Sequence, residues 1–211
     1  MIDPRSCAVV IIDMQNGFID DRSPLCIAGA SATVPACARV LAAARSNGMA
    51  VVHAVRSYAA DGSDVEPCRY GVWKQGRPLS QACPAYMNTD EPPSLAPCSD
   101  DIVIVKPRFS AFFATDLHDI LRRRDVETIV LIGTTTPNCI RSSCYDALSL
   151  GYNVAVVEDA TSSRNEAVQR ANLEDMAFIG AFMLDSYEFA DRGLARMPDM
   201  RQMHAADMER C

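Results

Sequence analysis

The sequence predicts an α/β fold in which a parallel sheet is covered by helices. Three observations carry that expectation. Six short apolar runs rich in Val and Ile recur along the chain, segments with apolar residues at helical spacing separate them, and three of those segments end at or near a glycine. An apolar run without polar alternation marks a strand buried on both faces, as in a parallel sheet. Strands alternating with helices give a layered fold with right-handed crossovers.

The first run is CAVVIIDM (7–14), and VPACARVLAAARSNG (34–48) follows as a helix. MAVVHAVRS (49–57) is the second strand. DIVIVKPR (101–108) is the third, with helix TDLHDILRRRD (115–125) behind it. TIVLIGT (128–134) leads into helix NCIRSSCYDALSLG (138–151), and NVAVVEDA (153–160) into helix RNEAVQRANLEDMAFIG (164–180). AFMLDSYEF (181–189) is the last apolar run. Residues 58–100 break the rhythm: they are rich in Pro, Gly and polar residues and hold the only tryptophan, Trp73. A segment of that length in a compact domain reads as a loop or lid over a site. The tail, 196–211, carries four methionines and leaves two readings, a docked short helix or a frayed end.

The chain has 211 residues, 49% hydrophobic and 22% charged, which suits a single domain over 1–211. A formal net charge of −7 argues against a nucleic-acid partner. No apolar run is long enough to span a bilayer, and the N-terminus lacks a basic region followed by a long apolar one, so the expectation is a cytoplasmic protein without a membrane partner. The nine cysteines are odd in number and form no Cys-x-x-Cys pair, which points to reduced, buried thiols rather than disulfides or zinc.

Ligand groups in open α/β sheets gather at the carboxyl ends of strands. Asp13 ends the first apolar run, Lys106 the third, and Cys139 follows the fourth on what reads as the first turn of a helix. Each has a bland reading: a turn-forming Asp, a Lys reaching for water, a core Cys. Together they are complementary. A thiol attacks as thiolate, a helix start and an ammonium both favour thiolate, and a carboxylate can shuttle the proton.

These stretches, VVIIDMQNGF, VIVKPRFSAFFATDL and VLIGTTTPNCIRSSCYDALSLGYNVAVVEDATSS, resemble the isochorismatase-like cysteine hydrolases, a family that includes nicotinamidases, N-carbamoylsarcosine amidohydrolases and ureidoacrylate and biuret hydrolases. The resemblance implies a three-layer fold with a six-stranded parallel sheet and helices on both faces. It implies a catalytic set of Asp13, Lys106 and Cys139, a cis peptide bond between Thr134 and Thr135, and an oxyanion hole made by the N–H groups of Thr135 and Cys139. It also implies hydrolysis of a small amide, carbamoyl or ureido compound through a thioester, and a homo-dimer or homo-tetramer. Nicotinamidases bind a metal through histidines, whereas here the second strand ends Arg56-Ser57-Tyr58 and His53 reads as core, so neither metal nor other cofactor is expected. Phe18, Trp73 and Phe109 are candidate substrate walls, with a subunit contact as the other reading of Trp73. Arg141 is either a carboxylate clamp or an outward-facing residue. A thiol redox protein, with Cys144 resolving Cys139, and a non-catalytic binding module are the competing functions.

Overall fold

The computed structural model describes residues 2–210. Six strands, β1 (Cys7–Ile12), β2 (Ala50–Val55), β3 (Ile102–Val105), β4 (Thr128–Thr134), β5 (Asn153–Ser162) and β6 (Phe182–Leu184), form one sheet in the order β3-β2-β1-β4-β5-β6. Every pairing is parallel. The helices are α1 (Asn16–Ile19), α2 (Ala30–Ser46), α3 (Pro67–Trp73), α4 (Leu117–Arg122), α5 (Arg141–Ser149), α6 (Glu166–Phe178), α7 (Ser186–Arg192) and α8 (Met200–Met208).

Successive strand residues point to opposite faces, and β1 shows what that does in a three-layer fold. Cys7, Val9 and Ile11 enter one core with Val40 and Leu41 of α2 and Phe189 of α7. Ala8, Val10 and Ile12 enter the other with Leu117 and Leu121 of α4, Cys144 of α5 and Met176 of α6. Such a strand needs apolar side chains at every position, and β1 is buried throughout. Edge strand β3 departs from the expectation of two-sided burial: Val103 and Val105 are 52% and 58% exposed.

Two other expectations change, and the tail takes one of its two readings. The run at 181–189 is a strand only over Phe182–Leu184, because the Asp185 carboxylate accepts the N–H groups of Tyr187 (2.9 Å) and Glu188 (2.7 Å) and starts α7. The 58–100 segment carries α3 and a 3₁₀ turn at Ala85–Met87, and a small core of its own. The tail forms α8, whose Arg201 Nη1 donates to the carbonyl of Gly151 at 2.5 Å. No helix among the described residues is long and apolar enough to cross a membrane.

β1 and β4 are neighbours, while the chain leaves β1 toward β2 on its other side. This is the topological switch point, where the loops beyond adjacent strands diverge and leave a crevice at the carboxyl ends.

Candidate active site

Asp13 follows β1 directly, in a left-handed conformation (φ 53°) that Asp tolerates better than most side chains. Its N–H donates to the carbonyl of Ala54 (3.0 Å), and the N–H of Lys106 donates to that of Val55 (2.9 Å). The end of β2 therefore carries both residues. Lys106 Nζ reaches back over β2 and donates to Asp13 Oδ2 at 2.8 Å and to the Arg108 carbonyl at 3.2 Å, and it lies 3.6 Å from Cys139 Sγ. Asp13, Lys106 and Cys139 are all buried, and Asp13 Oδ1 has no hydrogen-bond partner.

The threonine run after β4 is held by one residue of β5. Thr135 Oγ1 and Thr136 Oγ1 donate to the Ser162 carbonyl (3.1 and 3.0 Å), and Ser162 Oγ donates to Thr134 Oγ1 (2.9 Å). The Thr134–Thr135 peptide bond is cis. Cys139 does not sit on an ordinary first helical turn. Thr136–Ile140 form a wide π-helical turn before α5, and the Thr135 carbonyl accepts from Asn138 (3.0 Å) and Ile140 (3.3 Å), on either side of Cys139. Such turns recur at functional sites. Ser143 Oγ donates to the Cys139 carbonyl (2.7 Å) and accepts the Ala111 N–H (2.9 Å), which ties this turn to the exit of β3.

Burial pushes the Cys139 thiol above its ordinary value, and the charge of Asp13 adds to the effect, while Lys106 and Arg69 oppose it. The expectation of a thiol pKa lowered by a helix start is corrected accordingly, because a fully desolvated sulfur beside a carboxylate favours its protonated form. Cys144 is buried as well, and burial alone takes it up to about 12, which suits a core residue and not a partner in thiol exchange.

Around this set lies a layer of buried charge that sequence reasoning missed. Arg56 donates to the carbonyls of Pro107 (3.0 Å) and Arg108 (2.7 Å) and pairs with Glu66. Glu66 also accepts the Tyr58 hydroxyl at 2.7 Å. Gln15 clamps the Arg56 backbone from both sides, accepting its N–H at 2.7 Å and donating to its carbonyl at 2.8 Å. The signal available in the sequence was Arg56 itself, a charge closing an apolar strand. His53 is buried as expected, but it is bonded as well: Nδ1 lies 2.6 Å from Glu91 Oε2 and Nε2 lies 3.3 Å from Asp101 Oδ2. Among the described residues, no group of three or more His, Cys, Asp and Glu side chains is placed to hold a metal ion.

The aromatic candidates separate. Phe109 is half-buried and lines, with Pro137, Asn138, Arg141, Ser142 and Tyr145, a surface cavity of about 300 Å³ beside the Cys139 turn. Phe18 is buried in the small core of the 58–100 segment, with Tyr58, Val65, Trp73 and Leu79. Trp73 is 1% exposed, and its indole N–H donates to the Pro78 carbonyl at 2.9 Å. It is an internal anchor of that segment, neither wall nor exposed contact, because the ring fills the space left by Gly62, where a Cβ would lie 2.4 Å from it. Arg141 bonds to Asn172 (3.0 Å) and pairs with Asp175 (2.5 Å), both on α6.

An isochorismatase domain model matches residues 7–188, a span that contains all three residues of the cluster. A crystal structure of an isochorismatase family protein from Desulfovibrio vulgaris is 41% identical, with a TM-score of 0.81, over 89% of this chain and 97% of that one. A probable inactive nicotinamidase from Arabidopsis thaliana is 36% identical over 89% of this chain and 96% of its own. Maleamate amidohydrolase from Pseudomonas putida is 34% identical over 82% of this chain and 79% of its own. The six-stranded parallel sheet, the strand-end cluster and these matches agree, and the chain belongs to the isochorismatase-like hydrolase family, which includes relatives that act on amides.

Proposed function

We propose that the protein is a cysteine-dependent hydrolase that cleaves the C–N bond of a small amide, carbamoyl or ureido compound through a thioester acyl-enzyme. The observation that carries this reading is the meeting of a carboxylate, an ammonium and a thiol around Lys106 Nζ, 2.8 Å from Asp13 and 3.6 Å from Cys139, in a buried pocket of charge. Inactivity is named for the Arabidopsis relative; in this chain each of the three groups is present and within reach of the next.

The raised thiol pKa defines the first step. Cys139 rests protonated, so attack requires a base beside it, and Asp13 Oδ1 is the unpartnered oxygen. Asp13 takes the thiol proton as sulfur adds to the carbonyl carbon. The N–H groups of Thr135 and Cys139 hold the tetrahedral oxyanion, and the flanking N–H bonds to the Thr135 carbonyl leave Cys139 N–H outside that pattern. Lys106 offsets the negative charge that develops. Asp13 returns its proton to the departing nitrogen, the C–N bond breaks, and a thioester remains. Water activated by Asp13 hydrolyses it, restoring the thiol and releasing the acid.

The test is ammonia release from a panel of biuret, N-carbamoyl amino acids, ureidoacrylate, maleamate and nicotinamide, with Cys139→Ala, Asp13→Asn and Lys106→Met beside the wild type. The expected result is turnover of at least one linear amide and its loss in Cys139→Ala. A Cys139→Ala protein with wild-type turnover would exclude the acyl-enzyme route.

A further inference from the structure

Two guanidinium groups lie close to the proposed site; each has one buried nitrogen without a hydrogen-bond partner, Arg56 Nε and Arg69 Nη1, but among the described residues only Arg56 has a carboxylate paired with it. Arg56 is held by Glu66 and by the carbonyls of Pro107 and Arg108. Arg69, on the middle of α3, has a buried Nη1 with no hydrogen-bond partner. Its guanidinium lies 4.9 Å from the Phe109 ring centroid and 5.6 Å from that of Phe18. Phe18 follows Asp13 in the α1 turn, and Phe109 follows Lys106, so both chain segments that deliver the reactive groups also flank Arg69. Its charge is felt at the Cys139 sulfur, where it favours the thiolate.

The charge balance points the same way. Lys106 pairs with Asp13, and Arg56 pairs with Glu66. Arg69 is then the surplus cation. An unpaired buried donor is costly, and a charged one more so. A guanidinium that lies near two aromatic rings and keeps an N–H group unbonded can still take a bidentate acceptor such as a carboxylate. We propose that Arg69 binds a carboxylate of the substrate, which makes the substrate class a short amide with an anionic far end, a half-amide of a small dicarboxylic acid or an N-carbamoyl amino acid. This assignment rests on the amide-hydrolase reading and narrows it.

Matched pairs test it: succinamate against the uncharged succinamide, and N-carbamoylglycine against N-carbamoylglycinamide. The full-length wild type is expected to prefer the anionic member of at least one pair in kcat/KM. Arg69→Met lowers that preference about 10- to 100-fold, chiefly by raising KM for the anion, and Arg69→Lys retains part of it. An independent arm is calorimetric binding of succinate and N-acetylglycine, inert anions of matching length, to Cys139→Ala, with binding lost in Cys139→Ala/Arg69→Met. A preference unchanged in both Arg69 variants, or a wild type that favours the neutral amides, overturns the assignment and leaves the hydrolase reading intact. Anion binding that depends on Arg69 in a chain that releases ammonia from no amide overturns the hydrolase reading and supports the assignment.

Discussion

Glu66 holds two partners at once, the Arg56 guanidinium and the Tyr58 hydroxyl, in a place where water does not reach. Burial alone would raise its pKa, yet the Arg56 charge and the Tyr58 hydroxyl bring it below the ordinary value. Removing one member of such a pair strands the other, so Glu66→Ala is expected to cost about 3–5 kcal/mol, read as a lower urea midpoint. A loss below about 1 kcal/mol would mean that Arg56 finds another acceptor. Of the cysteines among the described residues, Cys139 alone lies against Lys106 and Asp13, and Cys144 is packing. Cys139→Ser is therefore expected to lose activity by at least about 1000-fold, while Cys144→Ala retains most of it at some cost in stability; the two are separated by ammonia release alongside a melting curve. Asp13, Lys106 and Cys139 were legible in the sequence because Asp13 and Lys106 each close an apolar strand and Cys139 stands in the turn that follows one, and strand ends in this fold class converge. Arg69 and Ser162 were not, because their roles come from partners far away in the chain, and Glu66 was not, because its partners Arg56 and Tyr58, though only 10 and 8 residues away, meet it only once the irregular 58–100 segment has folded back.

Two elements position the site, and each has a residue that cannot change cheaply. Gly133, at the end of β4, has φ +110°, and a Cβ there would lie 2.1 Å from the Ile12 carbonyl oxygen. β1 and β4 can thus approach closely just where Asp13 and the threonine turn leave the sheet. Gly133→Ala should cost ~3 kcal/mol or more and lower activity in the protein that remains folded, because it separates these strand ends. Equal stability and kcat in this variant would show that the strands adjust without disturbing the site. The 58–100 segment is anchored by Trp73, packed edge-on to Tyr58 at 6.1 Å and beside Tyr70 at 5.9 Å. Trp73→Ala is expected to speed hydrogen exchange between residues 58 and 87 and to change KM through the neighbouring Arg69, with no change in association state. A shift toward monomer on size-exclusion would return Trp73 to a subunit contact. The helix at Pro67–Trp73 escaped the sequence reading because seven residues between proline and glycine-rich flanks show too little periodicity.

The molecule as a whole buries thiols on both sides of its sheet: Cys7 and Cys37 in one core, Cys144 and Cys139 in the other. Burial takes Cys7, Cys37 and Cys144 each up to about 12. Unfolded thiols ionise near about 8.5, so above that pH the unfolded chain has released protons that the folded chain still holds. Stability contributed by these groups is full below about pH 8.5 and is lost as pH climbs toward about 12, at up to ~1.4 kcal/mol per pH unit for each thiol. Urea midpoints at rising pH should fall, and a Cys7→Ala/Cys37→Ala/Cys144→Ala variant should fall less steeply; parallel curves would sink the account. Layer order and strand number were readable from the apolar runs because a two-sided sheet imposes them on every central strand. The exposed valines of β3 were not, because an edge and a centre can share one composition. The sheet order has a further effect in time. β1 is synthesised first but sits in the middle, and its neighbour β4 emerges only after β2 and β3. Asp13 and Lys106, 93 residues apart, and Cys139, 33 residues beyond Lys106, cannot meet until β4 has docked. Loop closure over such separations comes late and slowly, so a nascent chain exposes Cys139 as an ordinary cysteine and brings it against Lys106 and Asp13 only as the central strands close.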